Sequence, residues 1–179
     1  EALCVDLDDH RVPAVPTPAA DVAAIAYLAP PPESGSTDPR IARFLAALGE
    51  SRPAVLLYMS TTGVYGDAAG ALVTEQTAIG PANDRSRRRV DAEAAVAKWC
   101  ASRGTRCVIL RVPGIYGPGR LPIERLRRGE PALRPEDAGP GNRIHVDDLV
   151  SACLAALERP VAGIVNVGDG DHSSTTVFL

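Results

Sequence analysis

The 179 residues suffice for one domain with its own core, since a chain of this length buries roughly 70% of its extended surface on folding. Hydrophobic residues at 45% and charged residues at 23% are an ordinary globular balance, whereas aromatic residues at 4% leave few platforms on which bases or sugars could stack. A net charge of -3 argues against a nucleic-acid partner, because phosphate backbones are held by clustered positive charge; the one basic run, Arg85 to Arg89, reads as a solvated helix start or an anion contact.

In chain order, short apolar runs alternate with amphipathic segments, the pattern of a parallel sheet with crossover helices. Ala2 to Val5 reads as the first strand. Prolines 13, 16 and 18 then leave no room for a full crossover helix before the next strand, Val22 to Leu28. A helix is expected from Pro39 to Leu48, with Asp38 as its N-cap, Gly49 beyond its end and Ile41, Phe44, Leu45 and Leu48 as its apolar stripe. A strand over Ala54 to Ser60 follows, then a longer helix from Arg85 to Ala101 that turns Ala92, Val96 and Trp99 inward and stops at Gly104. The strand Arg106 to Arg111 comes next. Arg128 to Asn142, rich in proline, glycine and charge, reads as an exposed loop. The last helix is expected over Val146 to Glu158, with the stripe Leu149, Cys153 and Ala156, and the last strand over Ile164 to Val167. Most of these strands are apolar on both faces, so the expected fold is α/β, a Rossmann-like doubly wound parallel sheet.

Cys4, Cys100, Cys107 and Cys153 show no C-x-x-C spacing and no histidine cluster nearby, so no metal site is expected and a reducing cytoplasm is the simpler setting. No apolar stretch approaches the roughly 18 residues of a membrane helix. The chain opens on Glu1 and stops at Leu179 without a polar tail, so both ends read as cuts.

In a doubly wound sheet, ligands collect beyond the carboxyl ends of the strands. Four segments there carry chemistry: Ser60-Thr61-Thr62-Gly63-Val64-Tyr65-Gly66, the run Leu110 to Gly119 (L-R-V-P-G-I-Y-G-P-G), His145-Val146-Asp147-Asp148 at a helix start, and Asn166-Val167-Gly168. Read from the residues alone, Ser60 and Thr61 either cap the strand end or hydrogen-bond a substrate oxygen. Together with Val5-Asp6-Leu7, the order and spacing of these pieces resemble the extended short-chain dehydrogenase/reductases, in particular their NAD-dependent epimerase/dehydratase branch, over nearly the whole chain.

The resemblance implies NAD or NADP as cofactor and a small molecule with a hydroxyl or keto group, sugar-like or other, as substrate; a homodimer is compatible with it. It implies that Asp6 and Leu7 hold the adenine ring and that Leu28, Ala29 and Pro30 lie along the cofactor. Ser60 and Thr61 become the serine/threonine pair, with Thr61 holding the reacting oxygen as the catalytic hydroxyl. Val112, Pro113 and Gly114 meet the nicotinamide end, and residues 117–145 form a substrate-side region of the single domain.

The family's Tyr-x-x-x-Lys pair is replaced. Counting from Thr61, the tyrosine position falls on Arg85 and the lysine position on Arg89; a guanidinium cannot act as a base, though Arg89 can hold ribose or phosphate. Tyr65, Tyr116 and His145 remain nearby and are expected to pack or cap, and Asp147 and Asp148 suit a helix start. Gly114 and the pair Gly141-Asn142 also depart from sugar-nucleotide enzymes. No G-x-x-G-x-x-G turn occurs, so the domain is expected to be incomplete at its amino-terminal end. In the family's sheet order 3-2-1-4-5-6-7, Ala2 to Val5 would be strand three and Val22 to Leu28 strand four. These 179 residues alone are accordingly expected to bind dinucleotide poorly and to expose a sheet edge. Three readings stay open: an oxidoreductase, a dinucleotide-binding sensor or scaffold without chemistry, and an inactive fragment.

Overall fold

The computed structural model describes residues 5–9, 22–121, 123, 127–129, 134, 136 and 138–178. Its main sheet has four parallel strands in the order β1-β2-β3-β6: β1 (Ala24–Tyr27), β2 (Val55–Thr61), β3 (Arg106–Val112) and β6 (Gly163–Asn166). A second, two-stranded parallel sheet joins β4 (Gly114–Tyr116) to β5 (Arg143–His145). Helices α1 (Pro39–Ala47), α2 (Asp84–Arg103) and α3 (Val146–Glu158) make the crossovers, and a helical turn, Thr175–Phe178, closes the described chain.

Two separate cores follow from the period-two alternation of buried strands. Leu56 and Tyr58 of β2 join Ile109 of β3 under α1 and α2, in a cluster with Ile41, Leu45, Val96 and Trp99. Val55 and Leu57 join Val108 and Leu110 on the opposite face, beneath Leu149 and Ala156 of α3. The sheet is therefore covered on both faces, and the doubly wound Rossmann-like architecture expected from the sequence is the one observed.

The caps explain the helix bounds. Asp38 accepts hydrogen bonds from the amides of Arg40 and Ile41, and Pro39 occupies the first turn, where its missing N–H costs nothing. Asn83 caps α2 through the amide of Ser86, and Gly104 ends it in the left-handed conformation at φ 68°. The four described strand expectations hold to within two residues. The strand expected from Ala2 lies outside the described residues except for Val5, as do prolines 13, 16 and 18. In the expected loop, Arg128, Gly129, Arg134, Glu136, Gly139 and Pro140 are exposed, but its carboxyl-terminal neighbour Arg143 begins β5.

Candidate active site at the carboxyl ends of the strands

Register brings the strand ends together: Tyr27 lies beside Tyr58, and Thr61 at the end of β2 lies beside Val112 at the end of β3. The chain leaves β2 through a 3-10 turn, Thr62–Tyr65. Thr61 caps that turn, its Oγ1 accepting from the Gly63 amide at 3.2 Å, and it stays half-buried. Gly66 closes the turn at φ 74°; a Cβ there would lie 2.1 Å from the Gly80 carbonyl oxygen, so only glycine lets the two segments touch.

Ser60 faces inward. Its side chain is buried and donates to Glu93 Oε1 at 2.5 Å. Glu93 in turn receives Arg111 in a two-pronged ion pair, Nε to Oε1 at 3.1 Å and Nη2 to Oε2 at 2.7 Å. Burial works against the Arg111 charge, but the Glu93 carboxylate and Tyr65 together more than offset it, and the pKa of the guanidinium is raised. Arg111 also lies over the ring of Tyr65, whose hydroxyl donates to Asn166 Oδ1 at 2.8 Å. Glu75 accepts from the Asn166 amide at 2.8 Å, tying β6 to the loop after the 3-10 turn. One polar chain thus runs beneath the strand ends from β2 through α2 and β3 to β6.

Arg85 lies one helical turn before Arg89 on the same face of α2. Arg85 is exposed on α2, whereas Ser86 is buried: a Cβ built on Gly63 would lie 3.2 Å from Ser86 Oγ and 3.5 Å from Thr61 Oγ1. Ser86 of α2 is thus brought up to Gly63, in the turn that Thr61 caps. Arg89, half-buried, donates from Nη1 to the Met59 carbonyl at 2.7 Å and to the Tyr58 hydroxyl at 3.1 Å. Among the described residues its Nε and Nη2 have no protein acceptor, so part of the fork remains available to a ligand.

The other expected site residues divide between core and surface. Leu28, Pro30 and Gly114 are exposed, Ala29 packs against the α1–α2 core, Val112 is buried in the α3 core, and Pro113 is half-buried. Asp6 is exposed, with Oδ1 accepting from the Asp8 amide, while Leu7 packs its side chain against the α1–α2 core. His145 caps α3, its Nδ1 accepting from the Asp147 amide at 3.2 Å, and meets Tyr116 edge-on at 5.2 Å. Asp147 and Asp148 occupy the first turn of α3, as the helix macrodipole favours. Gly117 makes room for this corner, since a Cβ on it would lie 2.9 Å from Val146 Cγ1 and 3.0 Å from His145 Nε2.

Among the described residues no group of His, Cys, Asp and Glu could hold a metal ion, and no helix is long and apolar enough to cross a membrane.

The arrangement has known counterparts. Residues 40–168 match the family model described as NAD dependent epimerase/dehydratase family. Protein YeeZ of Escherichia coli strain K12 is 34% identical over 125 residues, which span 69% of this chain and 43% of that protein. The chain thus spans less than half the length of this curated relative. The crystal structure of UDP-glucuronic acid 4-epimerase from Bacillus cereus in complex with NAD superimposes with a TM-score of 0.76 at 20% identity, covering 95% of this chain and 59% of that one, a likeness of fold. A functionally unknown protein from Silicibacter pomeroyi is 33% identical, with a TM-score of 0.72 over 87% of this chain and 55% of its own. With a family model spanning most of its length, the chain belongs to the NAD dependent epimerase/dehydratase family.

Proposed function

We propose that the protein carrying this chain binds NAD or NADP across the carboxyl ends of β1, β2 and β3 and acts as an epimerase- or dehydratase-type oxidoreductase on a hydroxyl or keto group of a sugar-like small molecule. The observation that carries this reading is the placing of the Thr61 hydroxyl and the half-free Arg89 fork at the strand ends of a sheet of this family. The residues fit the two ends of a dinucleotide. An exposed carboxylate at Asp6 and the neighbouring backbone suit the amino edge of adenine, the Leu28–Ala29–Pro30 segment offers a ledge, and Val112, Pro113 and Gly114 border the nicotinamide end. The glycine-rich turn that would cradle the pyrophosphate is not among these residues.

A bound nicotinamide supplies hydride acceptance and return. For the chain's own part, Thr61 donates a hydrogen bond to the reacting oxygen, Arg89 holds ribose or phosphate, and Ser60 acts from below by fixing Glu93. Residues 117–145, with Tyr116 and His145 at their edges, face the substrate in a single domain.

A second reading is favoured by one observation: the exposed guanidinium of Arg85 stands where a phenol would be needed, and it is not a base at neutral pH. On that reading the protein binds dinucleotide as a sensor or scaffold. Calorimetry of the full-length protein with NAD and NADP, followed by reduced-nicotinamide absorbance during a sugar-nucleotide screen, separates the two. Binding with turnover supports the oxidoreductase, binding without turnover the sensor, and no heat at millimolar cofactor removes both.

A further inference from the structure

The segment 5–9 and the segment after β1 are distant in the chain, and the Arg40 side chain reaches both. Arg40 stands in the first turn of α1, where its amide donates to the Asp38 cap at 3.0 Å. The Asp38 amide itself donates to Asp91 Oδ2 of α2 at 2.8 Å, so the base of this side chain is fixed at a helix-to-helix contact. From there the guanidinium divides its donors. Nε and Nη2 take both oxygens of Asp8, at 2.8 Å and 2.5 Å, in a fork-to-fork pair. Nη1 turns the other way, to the carbonyls of Pro30 at 3.1 Å and Pro31 at 3.4 Å. One turn further along α1, Arg43 reaches the Leu7 carbonyl through Nε at 2.9 Å and through Nη2.

As a source of stability this arrangement is minor. The Asp8 side chain is 55% exposed, and exposed ion pairs contribute about 0–1 kcal/mol. As a ruler it is specific: a planar fork fixes direction and distance at once, which a lysine ammonium cannot do. The two segments it spans are those assigned above to the adenine base and to the ledge along the cofactor.

We propose that Arg40 is the positioning residue of the adenine half of the dinucleotide site: without touching the cofactor, it sets Asp6 at the spacing from Leu28–Pro30 that lets the carboxylate select the adenine amino group. This rests on the dinucleotide reading and adds to it the device that confers base selectivity.

The test compares NAD with nicotinamide hypoxanthine dinucleotide, in which an oxo group replaces the adenine amino group, by calorimetry on the full-length protein. The wild type is expected to prefer NAD. Arg40→Ala and Arg40→Lys are both expected to lose about tenfold in NAD affinity, the equivalent of about 1.4 kcal/mol, while the affinity for the hypoxanthine analogue changes little and the ratio moves toward one. A merely structural role would weaken both ligands in parallel and leave the ratio unchanged; that result overturns the proposal while the dinucleotide reading stands. A wild type that binds both ligands equally overturns it as well, and a wild type that binds neither removes the dinucleotide reading itself. Should Arg40→Ala fail to fold, Asp8→Asn opens the same bridge from its other end and is read by the same ratio.

Discussion

Replacing Glu93 with alanine would strand the Arg111 guanidinium, whose side chain is only 3% exposed, without its ion-pair partner. Breaking a buried pair from one side costs about 3–5 kcal/mol, so Glu93→Ala is expected to lower the urea-unfolding free energy by that amount and to free the Ser60 hydroxyl. Thr61→Ala should behave differently. Its hydroxyl sits at the open strand end, and a hydrogen bond made mainly in the transition state is lost from kcat while cofactor affinity holds; equal losses in both would count against the role given to it. The sequence showed where Thr61 stands but not what faces it. The buried Ser86 beside Gly63 was not legible there, because a serine in the first turn of a helix reads as solvated. Arg85→Tyr would place a phenol one turn before Arg89 on the same helix face and is expected to raise turnover. Turnover unchanged from the wild type in a reduced-nicotinamide assay would favour the sensor reading.

At the scale of elements, α1 carries its own pH dependence. Burial raises the Asp38 pKa above the usual carboxylate value, even though the amides of Ile41 and Arg40 and the charges of Arg89 and Arg40 all pull it down. A group whose folded pKa is raised contributes stability that is fully present below its unfolded pKa, near 4, and lost as the pH climbs through the folded value. At neutral pH the charge is therefore a burden, though the cap is an asset. Asp38→Asn keeps the cap oxygen and removes the charge, so its urea midpoint should exceed that of the wild type at pH 7 and converge on it near pH 3. A gain that persists unchanged at pH 3 would mean that something other than ionisation is responsible. The bounds of α1, α2 and α3 were legible because caps, stripes and stop signals agree within each stretch. β4 and β5 were not, because three residues are too few to show a period, and their pairing joins residues 114–116 to 143–145 across a long connection. The Glu93–Arg111 pair and the Arg40 bridge were invisible for a related reason: charged residues in an amphipathic pattern read as solvated, and nothing local marks a partner 18 or 32 residues away.

For the molecule as a whole, the layered class could be read from alternating apolar runs, since a strand apolar on both faces needs helices on both sides, whereas the order of the strands came only with the family resemblance. The partition this creates makes Leu56 and Leu57 a test case. They are joined by a peptide bond, yet one packs beneath α1 and α2 and the other beneath α3, with the hydrogen-bonded backbone of β2 and β3 between them. A void opened in one compartment has no route for relaxation into the other. Trimming each to valine should therefore give losses that sum in the double variant to within about 0.5 kcal/mol, the behaviour ordinarily seen for residues far apart. Leu57 and Leu110, far apart in sequence but in the same compartment, should instead deviate from the sum when trimmed together, because they share one space to collapse into. Thermodynamic distance in this protein is thus measured through the sheet rather than along the chain.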